Sequence, residues 1–128
     1  MKLALQVIAS LIALVLAIPF AFFVYYWGTH IERRVSKGEA YGFEIGDSHA
    51  ETLQKARILK AEGKIVAIGR GRGSSPKPIM GSDFPMAYSD EFWTIDYNPE
   101  WWNDTATLTF DDDQLVEIYR FRICCEMP

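Results

Sequence analysis

The chain has 128 residues, 49% of them hydrophobic and 14% aromatic, with 13 Lys/Arg against 17 Asp/Glu for a net charge of −4. A pI near 5.1 disfavours a nucleic-acid binder, which needs basic surface to meet phosphates. Two cysteines adjacent in sequence rule out a disulfide scaffold, and Trp, Tyr, Phe, Ile and Val spread through the C-terminal part argue against disorder, so the length fits one membrane segment plus one small domain.

Residues 3–27 (LALQVIASLIALVLAIPFAFFVYYW) carry no charge, and only Gln6, Ser10 and Pro19 interrupt the apolar and aromatic run. As a helix this stretch rises about 37 Å against a hydrocarbon core of about 30 Å, enough to span a bilayer with some tilt. Tyr25, Tyr26 and Trp27 are rings of the kind found at a headgroup boundary. Pro19 is tolerated where freed backbone groups find other partners. The competing reading is a cleaved signal peptide, with Lys2 as a minimal charged head and Val15-Leu16-Ala17 as the cleavage site. A cut there leaves a mature chain starting with the apolar stretch 18–27, which favours an uncleaved anchor over residues 1–27.

Signals for orientation oppose one another. Arg33, Arg34 and Lys37 outnumber Lys2 and point to a cytoplasmic domain, and the neighbouring Cys124 and Cys125 suit reducing surroundings. A two-residue head before a long apolar run is instead the pattern of an exporting signal-anchor. On that pattern the protein is a single-pass membrane protein with its soluble domain on the extracytoplasmic side.

Residues 28–40 mix His30, Glu32, Arg33, Arg34, Lys37 and Glu39 and read as a charged stalk or helix extension ending at Gly38. Residues 41–128 are left for the folded domain. Residues 41–46 form a short extended lead-in. Asp47 or Ser48 offers an N-cap, and Ser48-x-x-Glu51 matches the capping box. The spacing predicts a helix to about residue 62 with Ala50, Leu53, Ala56 and Leu59 or Ile58 inward, closed by Gly63 in the left-handed region. Residues 64–69 (KIVAIG) read as a strand and 70–83 as a loop dense in Gly, Ser and Pro. Strands follow over 91–97, 105–110 and 114–123. Thr105, Thr107 and Thr109 alternate with Ala106, Leu108 and Phe110, the period of a sheet with one buried face. Asp111-Asp112-Asp113 is a tight hairpin turn. The fold class is α+β: one N-terminal transmembrane helix, then a small domain with a helix packed on an antiparallel sheet of three to four strands.

Gly46-Asp47-Ser48-His49-Ala50-Glu51-Thr52-Leu53 resembles the helix start of the SmpA/OmlA type of small envelope lipoprotein. Leu108-Thr109-Phe110-Asp111-Asp112-Asp113-Gln114-Leu115-Val116-Glu117-Ile118 is similar to the closing hairpin of that group. The resemblance implies a β-lactamase-inhibitor-protein-like fold, with helices on a three- or four-stranded antiparallel sheet, and binding of protein partners in the envelope without catalysis. The chain departs from the pattern in lacking a lipid-anchor Cys, in showing only one clear helix before the sheet, and in carrying Asp113 where a Gly is usual.

Candidate chemistry is sparse. The run Gly69-Arg70-Gly71-Arg72-Gly73-Ser74-Ser75 follows a strand, yet Pro76-Lys77-Pro78 follows it instead of the helix N-terminus that a phosphate cradle requires. Exposed Arg70, Arg72 and Lys77 then suit contact with anionic headgroups or an acidic partner. His49 reads as a solvated residue of the first helical turn, and no nucleophile elbow accompanies it. Cys124-Cys125 lacks metal-ligand spacing, and the aspartate turn lacks the alternating ligands of a calcium loop. No catalytic, cofactor or metal site is expected, and the protein is not read as an enzyme.

Charge is distributed unevenly. Residues 28–77 hold 10 Lys/Arg and 6 Asp/Glu, a net of +4, whereas residues 78–128 hold 2 and 11, a net of −9. Trp93, Trp101 and Trp102 sit within the acidic half. Trp anchors interfaces and surrounding acids steer a basic partner; the plain alternative is a core Trp93 and a solvated acidic face. The candidate partner contacts are Trp101, Trp102, Asp96, Glu100 and Asp104, with Arg70 and Arg72. Two readings follow: a membrane-anchored envelope protein that binds a protein partner, or an immunity-type inhibitor whose acidic, Trp-bearing surface caps a basic toxin or enzyme.

Overall fold

A computed structural model describes residues 1–72, 77–78, 88–97 and 102–124, with the side chains of residues 77, 78, 102 and 124 left aside. Most of the expected 70–83 loop, the segment 98–101 and Cys125 therefore lie outside the described residues. The chain divides into two units, Met1–His30 and Ile31–Pro128.

The first unit is helix α1, Lys2–Thr29, longer than the uncharged run by one residue at its start and two at its end. None of its residues is buried. It is long and apolar enough to cross a membrane, a test that a signal sequence also passes. Its last turn is closed locally: the Thr29 hydroxyl donates to the Tyr25 carbonyl at 2.7 Å, and the His30 N–H donates to the Tyr26 carbonyl at 3.1 Å.

The second unit is α+β. After β1 (Ile31–Val35) come a short hairpin, β2 (Glu39–Ala40) and β3 (Phe43–Glu44), and then helix α2 (His49–Ala61). Strands β4 (Ala67–Arg70), β5 (Lys77–Pro78), β6 (Phe92–Asp96), β7 (Trp102–Asp111) and β8 (Gln114–Cys124) complete it. Among the described residues the main sheet has six strands in the order β1-β8-β7-β6-β4-β5, all neighbours antiparallel. It is wider than the three to four strands expected. Part of the difference is β1, since residues 31–35 lie in the sheet against β8 and are not a stalk or helix extension. Their run of Glu32, Arg33 and Arg34 is what an exposed sheet edge carries, because charge there discourages pairing with another chain.

Helix α2 forms where its caps place it. The Ser48 hydroxyl accepts from the Glu51 N–H at 3.2 Å while the Glu51 carboxylate accepts from the Ser48 N–H at 2.8 Å, so two otherwise orphaned donors are satisfied. At the far end the Gly63 N–H donates to Lys60 and the Lys64 N–H to Leu59, the Schellman closure, with Gly63 at φ +73°.

The core lies between α2 and one sheet face. Leu53 and Ala56 of α2 meet Trp93, Ile95, Ala106, Leu108, Phe110, Leu115 and Ile118, with Phe43 and Ile65 closing the sides. The inward face of α2 is rotated from the expected one: Ala50 and Ile58 are exposed, while His49 and Thr52 are buried. The expected alternation holds in β7, where Ala106, Leu108 and Phe110 are buried in the core and Thr105, Thr107 and Thr109 lie on the opposite face.

Candidate functional site

Three constellations of side chains stand out, and two of them are internal. His49 opens α2 yet is only 3% exposed, contrary to the solvated residue expected. Its ring stacks on Phe110 at 3.8 Å and meets Trp93 edge-on at 5.1 Å. Nδ1 lies 2.6 Å from the Asp113 carboxylate and Nε2 lies 2.8 Å from the Asp90 carbonyl. Asp113 also accepts the His49 backbone N–H at 3.2 Å. The imidazole contact first, and then this backbone bond, hold its carboxyl below the usual carboxylate range. Both ring nitrogens thus face oxygens of the protein itself.

In the second constellation, Arg120 donates to Asp104 from Nε at 3.0 Å and from Nη2 at 2.9 Å. Its guanidinium lies 4.0 Å from the Tyr97 ring centre and 4.6 Å from that of Tyr41. Burial opposes the charge on Arg120, but the bond to Asp104 and its negative charge outweigh it and hold the group protonated. Tyr41 occupies the left-handed region at φ +56°, uncommon for a bulky residue, in the two-residue turn of the β2–β3 hairpin. The following Gly42 lies so close to α2 that a Cβ there would sit 3.1 Å from Leu59.

The third lies on the face of the sheet opposite α2. The antiparallel register sets Arg34 beside Tyr119, Tyr119 beside Thr107, and Thr107 beside Thr94, one row across four strands. Thr105 and Asn103 continue the same side of β7. Arg72 follows β4, with its guanidinium 4.8 Å above the Phe92 ring. Arg34, Arg72, Asn103, Thr105, Thr107, Tyr119 and Phe121 line a hollow of 330 Å³. The Tyr119 hydroxyl donates to Glu32 at 3.0 Å. Its proton is held more tightly than in a free phenol by burial and by Glu32, while the positive charges of Arg34 and Arg72 both pull the other way.

The residues named from sequence divide between these places. Asp104 is buried against Arg120, and Arg70 is paired with Asp90, Nη2 to Oδ1 at 2.8 Å. Both are structural ion pairs, so neither offers a free charge to a partner. Asp96 lies on the face opposite α2, at the register position of Thr105. Arg72 is exposed at the hollow. Glu100 and Trp101 lie outside the described residues, as does the side chain of Trp102. Sequence reasoning missed Arg34, hidden in the supposed stalk, and the Asn103–Thr105–Thr107 series, whose alternation pointed to a sheet face but not to a site. Asp90 and Asp104 are thus paired with Arg70 and Arg120, while Asp113 stays largely exposed.

No match to this chain is found among protein-family models, curated proteins or solved structures. Among the described residues no group of three or more His, Cys, Asp or Glu side chains is placed to hold a metal ion.

Proposed function

We propose that the chain is a single-pass membrane-anchored protein of the cell envelope, without catalytic activity, whose extracytoplasmic domain docks a protein partner through the sheet face opposite α2. The observation that carries this reading is the division of labour among polar side chains. His49, Arg70, Asp90, Asp104, Asp113 and Arg120 bind one another or the backbone, whereas Arg34, Arg72, Tyr119 and Phe121 surround a hollow on the sheet face opposite α2. An aromatic and arginine surface is the composition that anchors interfaces. The resemblance of the α2 start and the β7–β8 hairpin to small envelope proteins supports the same reading.

Two measurements test it. A photo-crosslinking amino acid at Phe121 in intact membranes is expected to give a discrete crosslinked species that the same label at exposed Ile58 of α2 does not give; identical patterns at both sites would count against the docking face. For topology, Val66→Cys in a chain with both native cysteines replaced is expected to react with a membrane-impermeant maleimide once only the outer barrier is opened. Reaction solely after full lysis would put the domain in the cytoplasm and end the envelope reading.

A further inference from the structure

Among the described residues, the hollow opposite α2 is lined by two guanidinium groups and no carboxylate. Arg34 reaches it from the edge strand β1 and Arg72 from the end of β4, so the two cations come from opposite sides of the sheet. Between them the lining offers the hydroxyls of Thr105 and Thr107 and the amide of Asn103 as neutral donors, beside Phe121 and Tyr119, whose hydroxyl donates to Glu32. Of the acids nearest in register, Asp96 stands opposite Thr105, while Glu32 and Glu117 contact lining residues. Glu32 accepts from Tyr119, and Glu117 sits 3.5 Å from Arg34, too long for a strong charge-assisted bond. Arg72 rests on the Phe92 ring and makes no ion pair among the described residues. An arginine fork stacked on an aromatic ring and a second fork loosely held are both ready to turn toward an oxyanion, which accepts from each at once. The volume of 330 Å³ is several times that of a phosphate group, leaving room for its substituent.

We propose that this hollow is a binding site for a phosphoryl group, held between Arg34 and Arg72 over the hydroxyl row of β7 and Tyr119. The inference rests on the proposed binding face and names what that face holds. The phosphoryl group has two possible sources, a free phosphate compound or an anionic lipid headgroup.

The full chain, ¹⁵N-labelled in dodecyl maltoside micelles, is titrated with sodium phosphate at constant ionic strength, and separately with phosphatidic acid or phosphatidylcholine doped into the micelles. Saturable shifts are expected for the amides of Thr105, Thr107 and Tyr119. Saturation by inorganic phosphate at millimolar levels identifies a free-phosphate site; saturation by phosphatidic acid alone identifies a headgroup site; both outcomes support the proposal. Arg34→Gln/Arg72→Gln is expected to weaken binding about tenfold or more, while Arg57→Gln/Lys60→Gln, an equal loss of charge on exposed positions of α2, leaves it within about twofold. If the double variant fails to fold, Arg34→Lys and Arg72→Lys, which keep the charge but lose the fork, are expected to weaken binding singly. No saturable shift with either probe, or equal weakening by the two double variants, overturns the proposal. A Phe121 crosslink that persists without any phosphate shift removes the anion site alone; phosphate binding without that crosslink removes the protein-docking reading alone.

Discussion

Asp113 stands at the second position of the β7–β8 turn and ties that turn to the head of α2, 64 residues earlier, by accepting from both the backbone N–H and the ring Nδ1 of His49. Asp112 and Asp113 both have positive φ, +51° and +59°, the geometry of a two-residue turn that ordinarily selects Gly at its second position. The departure from the usual Gly thus has a reason: only a side-chain acceptor reaches the helix. Asp113→Gly relieves the backbone yet is expected to lower the thermal midpoint, with Asp113→Asn between it and the wild type. A midpoint raised by the glycine would show that turn strain outweighs the cap.

The same bond sets a pH dependence. The Asp113 carboxyl is held below its ordinary value of 3.8 by His49, so the folded state favours the ionised form. Its contribution is present above that ordinary value and is lost as pH falls through the lowered one. The stability gap between wild type and Asp113→Asn is therefore expected to close as pH drops below the normal carboxylate range. Denaturation midpoints measured from pH 6 down to pH 3 check this; a gap unchanged at pH 3 contradicts it.

His49 joins α2 to the sheet through stacking as well as hydrogen bonds. His49→Ala removes the contacts to Phe110 and Trp93 and leaves the Asp90 carbonyl without its partner, a loss of about 2–4 kcal/mol. His49→Phe keeps the stack and loses only the polar contacts, and is expected to cost about 1–2 kcal/mol. Chemical denaturation in one detergent, with equal slopes across variants, separates the two costs.

What was readable from sequence was what local chemistry encodes. The capping box at Ser48 and Glu51, the closing Gly63 and the alternation of threonines in β7 each act within a few residues, and each places its element within a few positions. Strand β1 was not readable, because its only apolar residues are Ile31 and Val35 and its charges are those of a flank as much as of an edge. The burial of His49 was equally hidden, since it depends on Phe110, Asp113 and Asp90, all distant in the chain. The Arg34–Arg72 hollow exists only after β1 has joined the sheet, so no spacing announces it. Ion pairs such as Arg120 with Asp104 likewise form inside the fold without any local signal.

Arg120 and Asp104 form a pair with side chains 15% and 10% exposed. Removing one partner leaves the other desolvated and uncompensated, so Arg120→Ala or Asp104→Ala is expected to cost about 2–4 kcal/mol. Arg120→Met/Asp104→Leu removes both charges and restores apolar volume, and is expected to recover much of either single loss. A double-mutant cycle measures the difference; simple additivity of the two changes would mean that the pair is not coupled.

Tyr97 provides the last test, because its hydroxyl is buried with no hydrogen-bond partner among the described residues while its ring supports Arg120. Burial pushes its ionisation up from 10.0 to about 12, against the opposing pull of Arg120. Since the folded value lies above the unfolded one, the stabilising contribution is complete below about 10 and disappears as pH rises through about 12. Tyrosinate absorbance in the folded protein is expected to show one of the six tyrosines titrating last, in step with loss of structure. Tyr97→Phe removes an unsatisfied polar atom and keeps the ring over Arg120, so it is expected to be neutral or to stabilise by up to about 1 kcal/mol. The late step should vanish from the titration of that variant. A late step that survives belongs to another tyrosine and would refute the assignment.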